Sequence, residues 1–188
     1  MDSDERPARL KRLDRLFSKY PVYFVTVCTE GRKPILANAK IHERFEEYGR
    51  AGLERGVFVG KYVLMPDHLH LFVAFGAEFE SSIIQRRQER RLHVDAKGDA
   101  VAAVCDRRLL LLSEWMKSLK NSLSKTFREM NFPTPHWQKG FFDHVLRSNE
   151  SYSQKWRYVA ENPIRKGLVA RMDDWPYQGE IYPLSHAD

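Results

Sequence analysis

The 188-residue sequence lacks the features that mark membrane-spanning, secreted and cysteine-rich proteins. No stretch approaches the roughly 20 consecutive apolar residues of a transmembrane helix. The first residues, Met1-Asp2-Ser3-Asp4-Glu5-Arg6, contain no apolar signal core. The two cysteines, Cys28 and Cys105, fit neither a disulfide framework nor a cysteine zinc site. These absences predict a cytoplasmic protein.

The sequence also lacks internal repeats and a Gly-x-x-x-x-Gly-Lys phosphate-binding loop, which is consistent with chemistry that needs no ATP. Its length suits one domain with a substantial core. We interpret residues 1–19 as a charged leader, 20–170 as the domain, 76–108 as an insertion within it, and 171–188 as a tail. The net charge of +6 favours an anionic partner but does not identify it.

Hydrophobic patterning predicts the order β-α-β-β-α-β-α. The predicted elements are strand Val22–Cys28, helix 40–54, strands Val57–Leu64 and His68–Phe75 around a Pro66-Asp67 turn, helix 110–130, strand Gly140–Leu146 and helix Glu150–Glu161. This order predicts an α+β, ferredoxin-like split βαβ fold, an antiparallel sheet with helices on one face, followed by a C-terminal helix. The segment 76–108 shows no sustained periodicity, and predicts either a solvated insertion or a phosphate-contacting arm.

The sequence His68-Leu69-His70 gives the most specific chemical indication. Side chains alternate between the faces of a strand, so both histidines should point the same way while Leu69 and Leu71 enter a core. Two adjacent imidazoles form half of a divalent-metal site. The alternative is a pair of ordinary strand histidines, because His-x-His alone is a weak motif.

The last predicted helix carries a tyrosine on its polar side. Tyr152, Trp156 and Val159 form an apolar stripe at helical spacing. At about 100° per residue, Tyr158 lies roughly 120° from that stripe. The helix should therefore bury Tyr152 and expose Tyr158, which makes Tyr158 the better candidate for chemistry.

Basic side chains are distributed over several of these elements. The candidate DNA-binding residues are Arg86, Arg87, Lys117, Lys120, Lys125, Arg128, Lys139, Arg147 and Lys155. They could contact a nucleic-acid backbone or form solvated faces. Trp137, Phe141 and Phe142 lie beside Lys139 and Arg147, a mixture suited to stacking unpaired bases or to lining a core.

Four sequence blocks, taken in order, resemble one known family. They are Met65-Pro66-Asp67-His68-Leu69-His70-Leu71, Trp115-Met116-Lys117-Ser118-Leu119-Lys120, Trp137-Gln138-Lys139-Gly140-Phe141-Phe142-Asp143-His144-Val145-Leu146-Arg147 and Arg157-Tyr158-Val159-Ala160-Glu161-Asn162-Pro163-Ile164-Arg165-Lys166-Gly167-Leu168-Val169. In this order they resemble the REP-associated tyrosine transposases, members of the HUH single-strand transposases. The resemblance covers most of the chain, from about Tyr20 to Tyr182.

The resemblance implies a ferredoxin-like catalytic domain, a divalent metal, a single-stranded DNA substrate with hairpin-forming repeats, and a tyrosine nucleophile. By this resemblance His68 and His70 are the metal pair, Tyr158 is the nucleophile and Asn162 is the third ligand. Because Pro163 disfavours helical geometry at Asn162, Glu161 is the alternative ligand. Imidazole ligands favour Mn²⁺ and cellular availability favours Mg²⁺, so both metals are candidates. Relatives are monomers or homodimers, which leaves the oligomeric state open.

Attack by Tyr158 would produce a covalent 5′-phosphotyrosine and a free 3′-hydroxyl, which allows nicking and strand transfer. Two other functions stay open. One is a non-catalytic nucleic-acid-binding module on the same sheet, as in RNA-recognition domains. The other is a metal-dependent phosphodiesterase that uses water, in which Tyr158 is dispensable.

Overall fold

A computed structural model describes residues 21–94, 107–146 and 149–184, with only the backbone described at 87–94, 107–109 and 149–151. The elements are β1 (Val22–Cys28), α1 (Ala39–Arg50), β2 (Val57–Leu64), β3 (His68–Phe75), α2 (Ala77–Val94), α3 (Arg107–Glu129), β4 (Phe142–Leu146), α4 (Asn149–Ala160), α5 (Asn162–Arg165) and β5 (Gln178–Glu180). The predicted leader, Cys105 and Arg147 lie outside the described residues.

One antiparallel sheet organises the chain, with strand order β4-β1-β3-β2-β5. β1 and β3 are central strands and are rich in β-branched and aromatic residues, which suit a sheet covered on both faces. Their register places Thr26 opposite His70 and Cys28 opposite His68. The first four strands have the predicted split βαβ order, and the α+β fold class is confirmed.

The helices α1 and α3 cover one face of the sheet, which we call the helical face. Leu69 and Leu71 of β3 lie in the same core cluster as Phe45 of α1 and Leu119 of α3. These side chains are essentially excluded from water. The apolar side of the helix predicted at 110–130 therefore faces the core, as its amphipathic pattern indicates.

The helix α4 covers the opposite face, which we call the histidine face because His68 and His70 lie there. Tyr152 of α4 packs against Phe72 of β3, with ring centroids 4.6 Å apart. Val159, one residue after Tyr158, is fully buried in a cluster with Val63, Met65 and Trp175. The apolar stripe of this helix thus faces the sheet, as its spacing predicts.

The chain after α5 returns to the sheet. The strand β5 pairs with β2, and the indole nitrogen of Trp175 donates to the Leu64 carbonyl at 3.0 Å. Leu184 occupies the space above Gly60, where an added Cβ would meet the leucine side chain at 2.5 Å. The predicted tail therefore supplies an edge strand and part of the core.

The segment after β3 differs from its prediction. Residues 77–94 form α2, whereas the sequence indicated no regular structure there. Phe79 and Ile83, one turn apart, are buried beside α1 and α3. Within 77–86, the part of this helix whose side chains are described, these two buried apolar positions are too few to produce a readable stripe. Among the described residues, no helix has the length and apolar character needed to cross a bilayer.

Candidate active site

His68 and His70 lie side by side on the histidine face. Their ring centroids are 4.7 Å apart and the rings are nearly perpendicular, at 85°. Both residues are partly covered, whereas Leu69 between them is fully buried on the helical face. The alternation predicted for the strand therefore brings the two imidazoles together.

Each imidazole is oriented by a neighbouring polar side chain. His68 Nδ1 lies 2.7 Å from Asp67 Oδ1, and His70 Nδ1 lies 2.8 Å from Thr26 Oγ1. A carboxylate can only accept, so Nδ1 of His68 donates and Nε2 keeps its lone pair. Metal-binding histidines characteristically have one ring nitrogen held in this way while the other binds the metal.

Burial keeps both imidazoles in the neutral form that metals require. It lowers the pKa of His68 from its usual value, against the opposing effect of the Asp67 carboxylate. It lowers the pKa of His70 to about 3, and the charges of Lys155 and Arg165 act in the same direction. Both rings are therefore unprotonated at neutral pH.

The predicted nucleophile candidate is exposed on α4, the helix that covers the histidine face. Tyr158 is 61% exposed, although the next residue of α4, Val159, is fully buried. On the same helix, Lys155 Nζ lies 5.3 Å from the centroid of Phe24, whose ring stacks on His70 at 5.5 Å. The helix that presents Tyr158 thus also directs a cation toward the histidine pair.

Arg165 connects the tyrosine to the third-ligand candidates. Its guanidinium lies 4.3 Å from the Tyr158 ring centroid and donates to the Tyr158 carbonyl. It also donates to Asn162 Oδ1 and forms an ion pair with Glu161 at 3.0 Å. Arg165 therefore contacts the nucleophile candidate and both candidates for the third ligand.

The residues present fit a divalent metal at the histidine pair, but they do not show a complete ligand set. Among the described residues, no three His, Cys, Asp or Glu side chains cluster as ligands. The helix α4 ends at Ala160 and α5 begins at Asn162, so the break falls at Glu161. Asn162 is helical, whereas Pro163 predicts a non-helical Asn162, because Pro163 lies in the first turn of α5, where its missing N–H costs no helical hydrogen bond. Asn162 has an amide oxygen with two lone pairs, and the bond from Arg165 uses one of them.

The predicted DNA-binding residues do not form one surface. Lys155 belongs to the histidine face, whereas Arg86, Lys117 and Lys125 line a groove of about 940 Å³ between α1, α2 and α3 on the helical face. That groove also contains glutamates, including Glu47 and Glu114.

The other predicted cations have separate surroundings. Lys120 donates to the carbonyls of Gln138 and Gly140, which fixes the loop before β4. Arg128 and Lys139 are exposed. The side chains of Arg87 and Arg147 lie outside the described residues.

Three residues of the site were missed by the sequence reasoning. Asp67 directly precedes His68, so its role could have been read from adjacency. Arg165 lies seven residues after Tyr158, which is two helical turns, but the break at Glu161 obscures that relation. Thr26 is brought to His70 only by the β1–β3 register, for which the sequence carries no local signal.

Comparison with known proteins finds sequence relatives described as transposases. No family profile matches the sequence. A Haemophilus influenzae protein described as "Putative REP-associated tyrosine transposase" is 22% identical over 176 residues, covering 90% of this chain and 89% of its own. The Escherichia coli K12 REP-associated tyrosine transposase is 34% identical over 41 residues, or 22% of this chain and 25% of its own.

A solved structure has the same fold. It is a REP-associated tyrosine transposase bound to a REP hairpin, with a TM-score of 0.56 and 17% identity over 93% of this chain and 89% of that one. The fold and the sequence relatives define a DNA-processing enzyme of the transposase class. Within that class, its sequence relatives and its fold are similar to REP-associated tyrosine transposases, the family that the four sequence blocks resemble.

Proposed function

We propose that this protein nicks single-stranded DNA at hairpin-forming repeats and transfers the strand through a covalent bond to Tyr158. The observation that carries the proposal is the 61% exposure of Tyr158 on a helix whose other side packs on the histidine face. An aromatic side chain of this size is normally covered in a folded domain. Its exposure on the helix that packs on the face carrying two neutral, oriented imidazoles supports a nucleophilic role.

The proposed reaction is an exchange of one phosphodiester for another. The Tyr158 hydroxyl oxygen forms a bond to phosphorus and loses its proton, the bond from phosphorus to the 3′ oxygen breaks, and that oxygen ends as a 3′-hydroxyl. Rejoining reverses these steps with a different 3′-hydroxyl. No bond energy is lost to water, so no nucleotide cofactor is required.

The chain's own residues hold the reacting groups. His68 and His70 would hold Mg²⁺ or Mn²⁺, with Asn162 or Glu161 as third ligand. When bound, the metal would neutralise charge on a phosphate oxygen and polarise phosphorus. Arg165 fixes the Tyr158 backbone and covers one side of its ring, at 4.3 Å. Lys155 supplies positive charge for the DNA backbone on the same face.

The test is transfer of a DNA label to the protein. Single-stranded DNA that carries a hairpin and labelled flanks is incubated with the protein and Mg²⁺ or Mn²⁺, then analysed on a denaturing protein gel. The hairpin is chosen because the structural relative is bound to a REP hairpin. We expect a labelled protein band in the wild type and in the control Tyr182→Phe, and no band in Tyr158→Phe.

Other products would contradict the proposal in different ways. Free nicked DNA without a labelled band would indicate a phosphodiesterase that uses water. DNA binding without either product would indicate a binding module. A labelled band that persists in Tyr158→Phe would exclude Tyr158 as the nucleophile.

A further inference from the structure

An aromatic side chain on the edge strand β4 has no place in the proposed reaction so far. Phe142 is 73% exposed, more than any other large hydrophobic side chain in the described part of the chain. Leaving such a ring in water forfeits most of the stabilisation that its burial would give. The residues that follow it, Asp143 and His144, are also exposed, so Phe142 is not part of a wide apolar patch.

The strand register places Phe142 on the histidine face. Phe142 pairs with Thr26 of β1, and Thr26 pairs with His70 of β3. Directly opposed residues of neighbouring strands project on the same side of a sheet. Strands are about 4.8 Å apart, so Phe142 lies two strand spacings, or roughly 10 Å, from His70 in one row across the sheet.

The next row of the sheet supplies polar and charged groups. His144 pairs with Phe24, and the Lys155 ammonium lies 5.3 Å from the Phe24 ring centroid. Lys139 is exposed in the loop that leads into β4. Proteins bind unpaired nucleotides with exposed rings accompanied by cationic side chains: the cations contact phosphates and the ring stacks on a base.

We propose that Phe142 is the stacking platform for one unpaired base of the substrate strand, close to the phosphate held at the histidine pair. This inference rests on the proposed function, because it assumes that a single strand crosses the histidine face. A nucleobase fits better than a protein partner, because a protein interface requires a contiguous apolar core, whereas the exposed residues that follow Phe142, Asp143 and His144, are polar.

The test measures binding alone, in the Tyr158→Phe background and in EDTA, so that no covalent product forms. Fluorescence anisotropy gives the affinity for hairpin DNA in which single flank positions are made abasic one at a time. Loss of a base stacked on an aromatic ring weakens binding by about 5- to 150-fold. We expect one flank position at which loss of the base weakens binding to the protein with Phe142. At that same position, loss of the base should not weaken binding to the Phe142→Ala variant any further.

Two matched variants separate stacking from simple apolar contact. Phe142→Trp keeps an aromatic face and should keep the affinity, whereas Phe142→Leu keeps apolar area without a ring and should bind like Phe142→Ala. Because Phe142 is 73% exposed, these changes should leave the thermal unfolding temperature unaltered.

Equal affinities of the proteins with Phe, Trp, Leu and Ala at position 142 would overturn the inference. So would a loss of affinity that is the same with Phe142 and with Phe142→Ala at every abasic position. Failure of the proposed function gives a different result from failure of this inference. If the wild type forms a covalent adduct and no abasic position couples to Phe142, the stacking platform is wrong and the chemistry stands. If coupling is found without an adduct, the platform is correct and the chemistry is wrong.

Discussion

Asp67→Asn tests whether the hydrogen bond to His68 prepares a metal ligand. In the wild type, Asp67 Oδ1 accepts from His68 Nδ1 at 2.7 Å and leaves Nε2 unprotonated. An asparagine amide can instead donate to Nδ1, which stabilises the tautomer whose Nε2 carries the proton. That tautomer cannot bind a metal through Nε2.

The expected size of the effect follows from the type of contact. Removal of an outer partner of a metal-bound histidine typically costs 10- to 100-fold in metal affinity, or about 1.4–2.7 kcal/mol. Asp67 also forms an ion pair with Arg32 at 3.2 Å, but that arginine side chain is 55% exposed. Such an exposed pair contributes only about 0–1 kcal/mol to folding, so the variant should remain folded.

The measurement is a titration of Mn²⁺ by calorimetry, together with the Mn²⁺ concentration that gives half-maximal adduct formation. The control is Glu47→Gln, which removes an exposed ion pair with Arg44, at 3.1 Å, from the helical face. Asp67→Asn should shift both measurements by the same factor and Glu47→Gln should shift neither. An unchanged Mn²⁺ affinity in folded Asp67→Asn would refute the assigned tautomer and the role of Asp67.

Protonation, salt and loop packing provide three further tests. Burial holds the pKa of His70 at about 3. Below pH ~6.5 the unfolded chain therefore binds a proton that the folded chain does not, and the free energy of unfolding falls by about 2 kcal/mol by pH 5. In EDTA, the Tm of His70→Gln should therefore fall less steeply with decreasing pH than the Tm of the wild type, and equal dependences of Tm on pH would contradict this. Lys155→Gln should reduce the slope of log affinity for single-stranded DNA against log salt by about 0.7, and Lys125→Gln on the helical face should not. The reverse result would mean that the DNA binds on the helical face. Lys120→Met leaves two loop carbonyls without their donor and should lower the free energy of unfolding, measured in urea, by about 1–3 kcal/mol. The control Lys117→Met, at an exposed position, should change it little, and equal effects of the two substitutions would contradict the structural role of Lys120.

The parts of the fold that were predictable have strong local patterns. The strands β2 and β3 were predicted with their observed bounds, because β-branched and aromatic residues run between clear turn signals. The strand β5 was missed because Gln178-Gly179-Glu180 has little intrinsic strand preference. It is a strand only because it pairs with Lys61–Val63, and such long-range pairing cannot be read from the segment itself.

The candidate site divides in the same way. The shared face of His68 and His70 and the exposure of Tyr158 follow from the periods of a strand and a helix, which the sequence displays. The separation of Lys155 from Lys117 and Lys125 depends on which face of the sheet each helix covers. That choice is made by tertiary packing, so basic residues that resembled one surface in the sequence lie on two.

The seating of Trp175 has a consequence for the order in which the protein is assembled during synthesis. Its indole bonds to a carbonyl 111 residues earlier in the chain and shares a core cluster with Val159 of α4. Domains fold from the N-terminus as the ribosome delivers the chain, so the earlier strands can associate before Trp175 has emerged. We therefore expect α4, the helix that carries Tyr158, to dock on the sheet last, after β5 has been synthesised and Trp175 has packed against the sheet.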